Sequence, residues 1–133
     1  LTELGREGVC RFVLIHHPPL TTEPRFKRLT DAPAFQAMIR EVGCELILHG
    51  HNHRSEVARI DGPDGPVPVI GVTSASAAPG SKYGRARYHL IHIERDPSGW
   101  RLGVDIRALR ANGAGCELDG QLMFRTGRSD VVG

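Results

Sequence analysis

Val9-Cys10-Arg11-Phe12-Val13-Leu14-Ile15-His16-His17-Pro18-Pro19, taken together with Leu46-Ile47-Leu48-His49-Gly50-His51-Asn52-His53, decides the fold. Val9 to Ile15 is apolar and β-branched with little alternation, the pattern of a strand buried on both faces. The prolines after His17 stop it, since proline has no amide hydrogen to give a ladder. Glu45 to Leu48 reads as a second short strand. Between the two, Thr30 or Asp31 can cap a helix whose first turn tolerates Pro33. Phe35, Met38, Ile39 and Val42 recur at helical spacing, and Gly43 stops the helix. Residues 20–29, with Pro24, read as a loop. Strand, helix, strand is a βαβ unit, whose strands run parallel through a right-handed crossover. Both strands then end on one edge of the sheet, the edge along which open α/β sheets place ligands. His16 and His17 end one strand. His51 and His53 follow the other on the same edge.

Outward from this unit the character changes. Ser55 to Ile60 and Val67 to Val72 read as strands joined by the turn chemistry of Asp61 to Pro66. Thr73 to Gly84 is a loop of small residues. Ala86 to Glu94 is strand-like, and Pro97-Ser98-Gly99 turns the chain. Trp100, Leu102, Val104, Ile106 and Ala108 alternate with polar or small residues, as a half-buried strand does. From Arg110 the chain is rich in glycine and charge. One short strand is expected around Leu118 to Phe124, and the rest of 110–133 as a partly flexible tail. The fold class expected is α/β (α+β), a βαβ unit followed by antiparallel strands. Residues 1–8 show no pattern.

Composition narrows the function. The 133 residues suit one domain, with 40% hydrophobic and 24% charged side chains. A net charge of +2 offers no electrostatic case for nucleic acid or a membrane surface. No apolar run approaches the roughly 18 residues of a spanning helix. Cys10, Cys44 and Cys116 form no Cys-x-x-Cys pair, so neither a disulfide framework nor a thiolate metal site is indicated, and a reducing cytoplasm is the expected compartment. The chain opens on Leu1 and not on methionine, which reads as a fragment or a processed chain.

The histidines carry the chemistry. Of seven, five fall in two tight groups. Neutral imidazole is a common ligand for zinc, iron and manganese. In Gly50-His51-Asn52-His53, an i, i+2 pair on extended backbone sends both rings to one side. In His16-His17 alternation sends the rings apart, so His16 is the stronger candidate ligand. The expected metal site is His16, His51 and His53. His49 reads as a backbone or second-layer partner, and His89 and His92 as ordinary strand residues on opposite faces.

A hydrophobic strand ending in His16-His17-Pro18-Pro19, then a helix, then Leu46 to Leu48 running into Gly50-His51-Asn52-His53, resembles the C-terminal half of the calcineurin-like metallophosphoesterases, nearest the bacterial cyclic-nucleotide phosphodiesterase-like phosphohydrolases. The resemblance covers residues 9–109, which with the preceding residues (1–109) make the phosphoesterase portion. It implies a four-layer αββα sandwich and a dinuclear centre of manganese, iron or zinc, at which a metal-bound hydroxide hydrolyses a phosphodiester or phosphomonoester. It implies that His16 and His51 bind one ion and His53 the other. The family's Asp-x-His, Gly-Asp-x-x-Asp and Gly-Asn-His-Asp/Glu motifs are absent from the sequence. With imidazoles and no bridging carboxylate, at most one weakly held ion and no activity are expected of these residues alone. The expected substrate is a small phosphoester such as a cyclic nucleotide, with His17 and Arg54, and more loosely Ser74 and Tyr83, as contacts. The bared inner sheet face points to a homodimer. Two alternatives stand beside this reading. One is a non-enzymatic metal-binding or dimerisation domain with vestigial histidines. The other is a single-zinc hydrolase, for which Glu45 or Glu56 would have to serve as the base.

Overall fold

A computed structural model describes residues 1–20 and 28–126. The loop expected over 20–29 lies mostly outside the described residues, as does the end of the tail beyond 126. Strand β1 spans Phe12–Ile15 and β2 spans Leu46–His49. They pair in parallel from Phe12 opposite Leu46 to Ile15 opposite His49. Helix α2, Ala32–Val42, makes the crossover. Proline in its first turn costs no hydrogen bond, and Ile39 on its apolar face is fully buried. Gly43 ends it at a φ of 65°, with its amide donating to the Ile39 carbonyl at 2.9 Å. A short helix α1, Thr2–Arg6, precedes β1 where the sequence shows no pattern. Glu3 in its first turn and Arg6 in its last suit the helix dipole, and Leu1 packs on the core beneath.

The expected antiparallel continuation is divided between two sheets. Strands β3, Glu56–Gly62, and β4, Gly65–Gly71, form a hairpin through Pro63-Asp64. β4 then lies parallel beside β2, so the first sheet has the order β1-β2-β4-β3. Strands β5, Arg87–Asp96, β6, Gly99–Leu109, and β7, Cys116–Thr126, make a separate antiparallel sheet in sequence order. The segment read as a tail therefore contains an eleven-residue strand, bonded along β6.

Two cores hold three layers together. Ile39 of α2 packs with Ile47, Ile60, Val67 and Val69 on one face of the first sheet. Leu46 and Ile70 on its other face meet Leu102, Val104 and Phe124 of the second sheet. Each such aliphatic side chain contributes roughly 1.5–3 kcal/mol on burial. At the amino ends of β1 and β2, Arg11 and Glu45 form a buried bidentate ion pair, with Arg11 Nη2 donating to Glu45 Oε1 at 2.9 Å and Nε to Oε2 at 3.1 Å. Burial, with the Glu45 charge adding to it, pushes the Cys10 and Cys44 thiols up to about 11, which keeps them protonated. No helix among the described residues is long and apolar enough to cross a membrane.

Candidate metal centre

The opposite ends of these strands carry the histidines. β1 stops at Ile15 and β2 at His49, side by side. The Gly50 amide donates to the His16 carbonyl at 3.1 Å, so the two departing loops are tied together one step past the ladder. His16, His17 and His51 present ring nitrogens that all lie within 4.8 Å of one another. His51 Nδ1 is 3.2 Å from His16 Nε2. The rings of His17 and His51 are 4.3 Å apart.

The membership of this cluster differs from the sequence reading. His17 belongs to it, because the backbone bends at His16 once the strand has ended and the alternation expected to turn His17 away no longer applies. The two prolines after His17 were the available signal. His53 lies against Tyr83 instead, with ring centroids 5.0 Å apart and planes tilted by 32°. The reason is local: His51 has φ 65° and His53 φ 54°, so the extended backbone that would aim both rings alike is not there. Left-handed backbone outside glycine is uncommon, though histidine tolerates it better than most residues.

A second layer holds the loop in shape. His49 is buried, and its Nδ1–H donates to the Gly50 carbonyl at 3.2 Å. Its Nε2 is 3.8 Å from the Glu56 carboxylate, which also accepts from Asn52 Nδ2 at 3.3 Å. Glu56 thus organises the His49–His53 turn. Glu45 is at the far end of β2 with Arg11. His49 faces Gly71 of β4, where a Cβ would lie 2.7 Å from His49 Cε1.

Beside the cluster a cavity of about 440 Å³ opens between the sheets. His16, His51, His53 and Ser74 line it, with Leu48, Ile70 and Ile91 as apolar wall. Arg54 is exposed and is not part of this wall. His89 lines it too, a residue read from sequence as ordinary. Its Nε2 is buried without a hydrogen-bond partner among the described residues, and burial together with the Arg87 charge holds its pKa below the usual imidazole value. His92, on the opposite face, pairs with Asp105 at 3.4 Å.

The donor set suits a transition metal. Two nitrogens on a tetrahedral zinc sit about 3.3 Å apart, given the usual Zn–N bond. The 3.2 Å between His51 and His16 is already that spacing. The cluster contains imidazoles alone, a set that suits zinc, copper, iron or nickel better than magnesium or calcium.

No protein-family model matches the chain, and no curated protein matches it. Among solved structures it is similar to Vps29 from Entamoeba histolytica. A double mutant of that protein is 18% identical with a TM-score of 0.42, over 74% of this chain and 49% of that one. Wild-type Vps29 complexed with Zn²⁺ is 20% identical with a TM-score of 0.40, over 71% and 47%. The chain thus spans about half the length of the Vps29 chains it matches.

Proposed function

We propose that residues 1–133 are the histidine half of a metal-dependent phosphohydrolase site, in which His16, His17 and His51 hold one ion. The observation that carries this is the convergence of three imidazoles from two crossover-linked strands at the carboxyl edge of a parallel sheet. When bound, the ion supplies Lewis acidity toward a phosphoryl oxygen and an activated water. The chain's own contribution is to fix the ligands through Glu56, Asn52 and His49, and to offer the adjoining cavity to the organic part of a small phosphoester such as a cyclic nucleotide. A second ion requires carboxylates that the cluster does not contain, so a complementary segment of polypeptide belongs to the active form. The homodimer is kept within this proposal: Leu14, on β1 at the sheet edge among the described residues and 74% exposed, is the apolar side chain a second copy would cover.

The test has two parts. Zn²⁺ titration of the 133-residue chain is expected to show one site. Hydrolysis of bis(4-nitrophenyl) phosphate with Mn²⁺ is expected to stay at background for the chain alone. Absence of Zn²⁺ binding overturns the reading, and turnover at ordinary enzymatic rates overturns the need for a complement. The all-imidazole cluster also favours a second reading, a metal-binding module without catalysis. Acidic segments supplied in trans that restore turnover would decide against it.

A further inference from the structure

Resting on the proposed use of the cavity for the organic part of a substrate, we infer that His89 is the residue that selects that part, and that it selects a flat nitrogen heterocycle of the nucleobase kind through a hydrogen bond at Nε2. His89 shares a face of β5 with Ile91, whose side chain packs onto the Leu46 and Ile70 core between the sheets. That placement puts the imidazole in the cavity wall beside Leu48 and Ile70. Its Nε2 is shut off from solvent and, among the described residues, has no hydrogen-bond partner. Buried polar atoms are nearly always paired, because an unpaired one bears its full desolvation cost. A guest in the cavity can supply the partner that the fold withholds. The residue as a whole is only half-buried and the χ2 well of histidine is broad, so the ring can turn that nitrogen toward a guest. The rest of the wall narrows the chemistry. Leu48, Ile70, Val72 and Ile91 would strand the hydroxyls of a glycerol-like group, whereas the faces of a heterocycle lose nothing against them and its edge nitrogens meet His89. At about 440 Å³ the cavity falls within the roughly 300–1,000 Å³ of small-molecule sites. His89 is not one of the clustered imidazoles, so this role is separate from holding an ion.

The test uses adenosine, which carries a base but no phosphate and so needs no metal ion, with the full 133-residue chain and amide chemical shifts as the readout. Wild type is expected to bind adenosine saturably and glycerol not at all. His89→Leu is expected to weaken adenosine binding about three- to tenfold, the worth of one hydrogen bond. His89→Gln keeps a donor and an acceptor at similar reach and is expected to recover part of the loss. A second readout separates this role from packing. His89→Leu removes an unpaired buried nitrogen and is expected to raise the urea midpoint of the free chain, whereas loss of a side chain that served only the core would lower it. Zn²⁺ affinity is expected to be unchanged in His89→Leu. No adenosine binding by wild type, equal binding by His89→Leu, or glycerol bound as tightly as adenosine overturns the inference and leaves the metal reading standing. Weakened Zn²⁺ binding in a folded His89→Leu also overturns it, by placing His89 in the metal centre. Failure of wild type to bind Zn²⁺ while adenosine binding still depends on His89 overturns the metal reading and supports this inference. Should His89→Leu not fold, histidine-selective nitrogen NMR of the wild type decides: adenosine must shift the His89 Nε2 signal, and an unmoved signal overturns the inference.

Discussion

His51 Nδ1 and His16 Nε2, 35 positions apart in the chain, meet at 3.2 Å. The meeting follows from register. Ile15 is paired with His49, so the chain leaves both strands at the same level, and the Gly50 amide on the His16 carbonyl prevents the two loops from diverging. One of these two nitrogens donates a hydrogen to the other. A metal ion would take that hydrogen's place, which makes metal and proton competitors for the same pair.

Removing either member of that pair is the direct check on the centre. His16→Ala and His51→Ala are each expected to weaken Zn²⁺ binding by about a hundredfold, since each deletes one nitrogen from a small ligand set. His17→Ala is expected to weaken it as well, which the alternation-based reading of His16-His17 does not anticipate. Isothermal titration with unchanged far-ultraviolet circular dichroism separates loss of ligand from loss of fold.

Gly71 is the position where the second layer leaves no room. A Cβ there would lie 2.7 Å from His49 Cε1, 3.0 Å from His49 Nε2 and 3.3 Å from Glu56 Cβ. The imidazole is buried and has nowhere to retreat. Gly71→Ala is expected to destabilise the chain by about 1–3 kcal/mol, the usual cost of overpacking. It is also expected to weaken Zn²⁺ binding, because His49 and Glu56 shape the turn that presents His51. Adding His49→Ala should recover stability in urea unfolding without recovering metal affinity.

Legibility in the sequence varied with how local the determining interaction is. The βαβ unit was readable because an apolar strand, a helical stripe with Ile39 at its centre and a stop at Gly43 are each visible within a few residues. β6 was equally plain from the alternation of Leu102, Val104 and Ala108. The destination of β4 was not. The Asp61–Pro66 turn specifies a hairpin but says nothing about which strand accepts its far edge, and β2 does so in parallel. β7 is faint in the sequence because glycine and charge dominate 110–120, while the burial of Phe124 depends on facing Leu102. Within the cluster, topology alone brings His16 and His51 together. The exchange of His17 for His53 in the cluster turns on backbone angles at single residues, which no periodicity records.

Asp119 links acid stability to the second sheet. It accepts from Arg87 Nε at 2.7 Å and from Arg85 Nη2 at 2.5 Å. The Arg87 hydrogen bond, with the Arg85 contact adding to it, holds the carboxyl below its ordinary value of 3.8. A carboxyl depressed in the folded state stabilises fully above its unfolded value and loses that contribution as pH falls through the folded one. Asp119→Asn is therefore expected to cost up to about 1 kcal/mol near neutrality, as partly exposed pairs do. The difference from wild type should close once the pH is taken well below 3.8. Urea unfolding at a series of pH values measures it, and a difference that persists undiminished in acid would assign the effect to packing.

The Arg11–Glu45 pair is predicted to matter through the cost of orphaning it more than through its own attraction. Both side chains are only 8% exposed. Arg11 Nη1 also donates to the Val42 carbonyl at 2.9 Å and the Leu1 carbonyl at 3.3 Å, so it ties the ends of α2 and α1 to β1. Glu45→Ala leaves a buried guanidinium without its carboxylate and is expected to destabilise by about 3–5 kcal/mol. Replacing both partners with apolar residues, as in Arg11→Met with Glu45→Leu, removes two desolvation costs at once and is expected to restore most of that loss. Because the pair is at the end of β1 and β2 opposite the histidines, Zn²⁺ affinity in the folded double variant should equal that of wild type. A double variant no more stable than Glu45→Ala would show that the carbonyl contacts of Arg11, and not the charge pair, hold this corner together.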